Sequence, residues 1–264
     1  MRRDVSARLE LRAEGPARLA FALSAAADYR PERETFEVTQ GGRPVVWTSI
    51  PDLHGTRLHV VDVAPGAVRV DYAATLDEAA LAPEDDAADE FRYLRPSRYC
   101  ESDALAPTAA AEFGGLLGAE LLAAVSSWVG VQLSYVPGAS SPTDGALRTL
   151  LSRRGVCRDY AHLVAAFLRA LDVPARVVSV YAPGLQPMDF HAVAEAKIDG
   201  RWRVVDATAL APRRSLVRIA TGRDGADTAF LSTRGSGVQL LDLEVTAVAD
   251  VLPEDDLSEL VSLG

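Results

Sequence analysis

The sequence predicts an α+β protein: an N-terminal antiparallel β-sandwich, then a domain in which a central helix packs on an antiparallel sheet. Three observations carry this. Short alternating strands with turn signals fill residues 1 to about 75. A long apolar helix pattern runs from Cys157 to Leu171. Strand patterns joined by an Asp-Gly turn follow it.

In the first part, Ala7–Ala13 and Val68–Tyr72 alternate with period two, and Leu58–Val63 does so less strictly. Gly41-Gly42, Gly55 and Pro65-Gly66 fall between the runs as turns. Several short strands at fairly even spacing are the pattern of a sandwich. Asp77–Glu90 is rich in Asp, Glu and Ala around Pro83 and reads as a solvated linker or helix. The expected boundary is near residue 95, with a β-domain at 1–95 and a second domain at 96–264. No internal repeat is visible.

Beyond the boundary, Ala109–Gly130 is rich in Ala and Leu and reads as helical, weakened at Gly114-Gly115. Thr143–Leu151 is a short amphipathic helix. Cys157–Leu171 is apolar on most sides, as a buried helix must be, and ends at Asp172 and Pro174. Strands are expected at Ala175–Tyr181, His191–Ile198 and Arg201–Ala207. A helix followed by an antiparallel meander is an α+β arrangement.

The chain has 264 residues, 48% hydrophobic and 24% charged, which is globular composition. Its net charge of -10 repels phosphate backbones and anionic membrane surfaces, so neither nucleic acid nor membrane is an expected partner. No run of about 18 apolar residues is present. Charged residues interrupt the N-terminal segment at once, so no signal peptide is expected. Two cysteines, Cys100 and Cys157, are too few for a secreted disulfide scaffold, and a cytoplasmic location is expected. Four histidines, His54, His59, His162 and His191, lack zinc-ligand spacing, so no metal or other cofactor is expected. Homo-oligomerisation is left open.

Cys157 opens the buried helix. A helix N-terminus carries partial positive charge and free N–H groups, which favour a thiolate and can hold an oxyanion formed beside it. Asp199-Gly200 between alternating runs is a two-residue hairpin signal. Pairing outward from that turn sets His191 opposite Thr208. Asp206 then lies on the same face, diagonal to His191 at roughly 7–8 Å between backbones, within reach of a side-chain hydrogen bond. An Asp that orients a His, plus a Cys at a helix start, supplies nucleophile, base and orienter. The set Cys157, His191 and Asp206 is therefore the candidate catalytic site.

Four blocks then carry a resemblance: Gly155–His162, Pro174–Val178, Phe190–Glu195 and Trp202–Thr208. They resemble the transglutaminase-like superfamily, with Cys, His and Asp in the family's order. Tyr93–Cys100 is similar to the joint that bacterial members carry between an N-terminal β-domain and this unit. The resemblance implies a papain-like core and a cysteine enzyme (protease, amidase or deamidase, or transglutaminase) that forms a thioester on Cys157 from a peptide or amide substrate. It also places an oxyanion-supporting side chain upstream of the cysteine, at Tyr135 or Trp128. Val193 stands where members often have an aromatic, and Ala207 where a proline is common. An alternative reading is a non-catalytic interaction module that keeps the fold.

Among the remaining residues, Cys100 reads as structural and His162 as a polar residue of the core or rim. His54 and His59 read as surface histidines, and Arg158 and Asp159 as holding loops at the helix start. Gly222–Phe230 reads as a polar loop, lining the cleft or solvated, and Glu254–Asp256 as a solubilising tail.

Overall fold

A computed structural model describes residues 1–77 and 86–263. The expected linker at 77–90 therefore lies mostly outside the described residues. Its described end forms a one-turn helix, α1 (Asp89–Arg92).

Strands β1 (Arg3–Ala13), β2 (Ala17–Phe21), β3 (Arg33–Gln40), β4 (Arg43–Pro44), β5 (Thr48–Pro51), β6 (Arg57–Val63) and β7 (Gly66–Leu76) build the N-terminal sandwich. β1 and β7 alternate buried and open positions along their whole length, as strands with one face on a core must. Leu9, Leu11, Leu19, Phe21 and Val70 lie in that core.

The second unit opens with α2 (Ser102–Phe113) and α3 (Gly118–Gln132). The expected single helix breaks where the sequence weakens it, with Gly115 at φ 91°. Neither helix is long and apolar enough to cross a membrane. Taken together they are apolar enough, but they meet at 105° and pack on the helix from Cys157. A two-residue strand β8 (Ser134–Tyr135), α4 (Ala146–Ser152) and a second two-residue strand β9 (Arg154–Gly155) lead into α5 (Cys157–Ala170).

Every residue of α5 from Asp159 to Arg169 is buried. Each fully buried Leu, Val or Phe there contributes about 1.5–3 kcal/mol. Truncating Phe167, wedged against Phe113 and Trp128, costs about 3–5 kcal/mol. At the far end of α5, Arg169 donates to the carbonyls of Ala175, Arg95 and Arg223 and so ties the helix to three connecting segments.

The sheet has the order β12-β11-β10-β13, from β10 (Ala175–Tyr181), β11 (Phe190–Ile198), β12 (Arg201–Val205) and β13 (Val217–Gly222). The β11–β12 hairpin has the expected register, from Ile198 opposite Arg201 to Ala194 opposite Val205. Its turn residues Asp199 and Gly200 have φ 50° and 71°. Positive φ at both positions is the type I′ geometry that Asp-Gly favours. β12 stops at Val205, two residues short of expectation, and Asp206 turns away from the ladder.

The expected division into 1–95 and 96–264 is corrected by the last two strands. β14 (Leu231–Gly235) pairs with β2, and β15 (Val238–Ala249) pairs along the whole of β1. The C-terminal hairpin thus completes both sandwich sheets, β15-β1-β7-β3-β4 and β14-β2-β6-β5. Tyr181, Val217, Ile219 and Ala220 of the second sheet are buried in the same core as the sandwich. Pairing between residues more than 200 positions apart leaves no local signature.

The joint between the two units also holds a buried ionic cluster. Glu195 accepts from Arg176 at 2.8 Å and from Arg218 at 2.8 and 3.0 Å, and all three side chains are sealed from solvent. Arg176 stacks on Trp202 at 3.9 Å. His54 belongs here: its Nε2 meets the Tyr93 hydroxyl at 2.7 Å, and burial first, then the neighbouring arginines, lower its pKa to about 4. His59 is buried against Phe36, where desolvation lowers its pKa to about 4 as well. Both corrections to the surface reading have one reason, that the groups covering these rings come from distant parts of the chain.

The C-terminal segment is also more than a solubilising tail. Arg213 donates to both carboxylate oxygens of Asp255 and to the carbonyls of Asp256 and Glu259. Val261 accepts from the Val204 N–H at 2.8 Å, and Val261 and Leu263 are buried. The segment runs along the open edge of β12 as a strap.

Candidate active site

Cys157 is the first residue of α5 and is half-buried. The helix start is held rigidly. The Asp159 carboxylate accepts the Val156 N–H at 2.8 Å and the Ser140 hydroxyl at 2.9 Å, and Arg158 reaches Ser140 and the Ser141 carbonyl. An acid at the third helical position that bonds back to the cap is a stabilising closure of the N-terminus. Arg158 and Asp159 thus hold the loop as expected. Gly155 is needed there, because a Cβ would lie 2.7 Å from the Asp159 side chain.

His191 and Asp206 meet as counting from the turn predicts, although the ladder itself ends at Ala194 opposite Val205. His191 Nε2 lies 3.1 Å from Asp206 Oδ2, and both side chains are buried. The other Asp206 oxygen accepts the Thr208 N–H at 2.9 Å and the Thr208 hydroxyl at 2.7 Å. Burial opposes charge on both residues. Their mutual attraction outweighs it: Asp206 is held below the usual carboxylate range, and His191 rises to about 10 with the Cys157 thiol adding to the effect. Nδ1 of His191 has no hydrogen-bond partner. It is the ring nitrogen left for the thiol beside it.

The backbone carrying Asp206 is gripped from outside. On α3, Ser126 donates to the Asp206 carbonyl at 3.3 Å, and one turn later Gly130 lies so close that a Cβ would sit 2.8 Å from the Ala207 carbonyl. On the other side, Arg213 is clasped by Asp255 of the strap.

Of the two candidate oxyanion residues, the structure brings one to the site. The Tyr135 hydroxyl sits beside the thiol and the backbone N–H of Cys157. Burial first, then the charge of Cys157, pushes its pKa up to about 12 and keeps it a neutral donor. The parallel pairing of β8 with β9 puts Tyr135 opposite Gly155 and so beside the helix start. Trp128 does not line the cleft. Its Nε1 donates to Glu112 at 2.9 Å and its ring packs edge-on against Phe113 and Phe167. Phe167 is ten residues, about 15 Å, along the helix from Cys157.

His162 is buried and accepts the Gly225 N–H at Nε2, at 2.9 Å. Burial first lowers its pKa to about 3, so it is a neutral packing group under the Gly222–Phe230 loop. That loop is therefore docked on α5. Cys100 is fully buried and free, with desolvation raising its pKa to about 12, which makes it an unreactive thiol. The described residues contain no group of three or more potential metal ligands. One residue beside the site, Asp189, was not singled out from sequence, although its place two positions before His191 was a signal.

Comparison with known proteins fits this geometry. The model of the transglutaminase-like superfamily matches residues 107–207, a stretch that contains Tyr135, Cys157, His191 and Asp206. The crystal structure of a provisionally assigned cysteine protease from Cytophaga hutchinsonii is 32% identical over 98% of this chain and 96% of that one, with a TM-score of 0.88. This chain belongs to the transglutaminase-like superfamily. An uncharacterised protein from Mycobacterium leprae is 31% identical over 133 residues, which make up 46% of this chain and 47% of that protein. The match thus spans about half the length of that curated relative. The periplasmic domain of TgpA from Pseudomonas aeruginosa is a looser fit, 22% identical over 75% of this chain and 91% of that domain, with a TM-score of 0.43. Membership in the superfamily supports cysteine-dependent catalysis at the level of the family.

Proposed function

We propose that this chain is a cysteine-dependent acyltransferase or hydrolase that acts on a peptide or other amide through a thioester on Cys157. The observation that carries the reading is the buried His191 ring, fixed at Nε2 by Asp206 with Nδ1 left free beside a helix-start cysteine. The Cys157 sulfur attacks the amide carbon, and the carbonyl oxygen takes the charge. The Tyr135 hydroxyl, which lies beside Cys157, is the donor this reading assigns to that charge. His191, held protonated by Asp206, gives its proton to the departing nitrogen, and ammonia or an amine leaves. Water or an amine then attacks the thioester. His191 takes the attacking group's proton, and the acyl product leaves as Cys157 is restored.

The reading is tested with an acylating ester such as p-nitrophenyl acetate, followed by mass spectrometry of the cysteine peptides. The expected result is an acyl adduct on Cys157 alone, removed by neutral hydroxylamine and absent in His191→Ala. Absence of any adduct on native Cys157 would favour a non-catalytic interaction module instead.

A further inference from the structure

The proposed chemistry leaves one charged side chain beside the site without a task. Asp189 precedes β11 and lies two residues before His191. Its Oδ1 accepts the neighbouring Phe190 N–H at 2.7 Å; the residue is exposed, partial cover raises the pKa of its carboxyl group, and it forms no ion pair with any described residue. Its charge acts on both the Tyr135 hydroxyl and the His191 ring, the two groups that bracket Cys157.

The loop that carries Asp189 is built to stay in place. Pro183 and Pro187 stiffen it, and Leu185 is buried. Gly184 has φ 100° and abuts Pro212 and Leu252, so the loop is clamped between the segment after Asp206 and the C-terminal strap. An unpaired carboxylate on a rigid support is preorganised to meet an opposite charge on something that enters the cleft. Deeper in the site the His191 imidazolium is offset by the Asp206 carboxylate 3.1 Å away. Asp189 therefore adds a negative charge further out that no ion pair balances.

We propose that Asp189 selects the substrate by charge, favouring amides that place a cationic group, such as a lysine or arginine side chain, beside the carbonyl that Cys157 attacks. This rests on Cys157 being the reactive nucleophile and names the class of substrate for that same site.

A pair of small thiol reagents tests it without a known substrate. The cationic reagent is 2-(trimethylammonium)ethyl methanethiosulfonate and the anionic one is 2-sulfonatoethyl methanethiosulfonate. With each, the Cys157 thiolate attacks the sulfenyl sulfur, a disulfide forms and methanesulfinate leaves. The readout is the ratio of the cationic to the anionic rate constant at Cys157. Asp189→Asn is expected to lower that ratio about tenfold at low ionic strength, with the difference shrinking in salt. Asp189→Lys is expected to lower it further. Asp242→Asn, an equal change in total charge at an exposed position on β15, should leave it unchanged. A ratio that moves less than twofold in Asp189→Asn, or that falls equally in Asp242→Asn, overturns the proposal while leaving Cys157 as a nucleophile. If neither reagent modifies native Cys157 although both do so after unfolding, the reading of Cys157 fails and the charge selection falls with it.

Discussion

Strand β11 carries two buried charged centres four residues apart, and their surroundings differ. At His191 the ring is fixed on one side by Asp206 while Nδ1 is unsatisfied and faces a half-buried thiol. At Glu195 both carboxylate oxygens are taken by Arg176 and Arg218, and the group is closed off by Trp202 and the sandwich loops. Burial is almost the same at 1% and 0% exposure, so burial does not distinguish them. The half-buried thiol beside His191 does. A closed ionic cluster fixes how two units join, whereas an incomplete one is available for chemistry.

Substitutions at the two centres should separate cleanly. The largest effect on activity is expected from His191→Ala, which should lower acyl transfer per folded molecule by at least about a thousandfold, while the buried Asp206 carboxylate it leaves unpaired also costs stability. Glu195→Ala leaves two buried arginines without their counter-charge and should destabilise the protein by about 3–5 kcal/mol in denaturant unfolding. If Glu195→Ala keeps full stability, or folded His191→Ala keeps its acyl transfer, the contrast fails.

Next comes the grip on Asp206. Gly130→Ala adds helix propensity worth about 1 kcal/mol but drives a methyl into the Ala207 carbonyl. A displacement of the orienting carboxylate of under an ångström should reduce kcat about 10- to 100-fold while Tm changes little. Unchanged kcat would show that α3 does not position Asp206.

The smallest effect expected is on pH-dependent stability. His54, His59 and His162 have folded pKa values lowered to about 4, 4 and 3, so between those values and 6.5 the unfolded chain binds more protons. Stability should therefore fall as pH drops from 7 to 5, by up to about 2 kcal/mol per histidine. His191 has the opposite sign. Its contribution is full below about 6.5 and is lost as pH rises through about 10. Melting curves of His59→Gln should show a shallower acid limb than the parent, and equal slopes would contradict the assignment.

Much of the candidate site is legible in the sequence because it is local. The Asp199-Gly200 turn sets the register by counting, and the count brings Asp206 within reach of His191 even though the ladder ends at Ala194 and Val205. Cys157 announces itself at the start of an apolar helix. What escaped depends on distant pairing. Sequence offers Tyr135, with Trp128 as the lesser alternative, and only β8–β9 pairing and the packing of α3 on Phe167 separate them. Nothing near Leu231–Ala249 reveals that it closes sheets begun at β1 and β2. His54 sits in a turn and His59 on an alternating strand, and only tertiary packing shows that both rings are covered. The strap looked like a solvated tail because its acidic residues serve Arg213, which lies some 40 positions earlier in the chain.

The central claim is that Cys157 is activated by His191 and that Cys100 is inert. Its most direct test is the rate of iodoacetamide alkylation at each cysteine of the native protein near neutral pH, read by peptide mass spectrometry in the parent and in His191→Ala. The account predicts alkylation at Cys157 at least about a hundredfold faster than at Cys100, with that advantage falling tenfold or more in His191→Ala. Equal, slow labelling of both cysteines, or a Cys157 rate indifferent to His191, would contradict it.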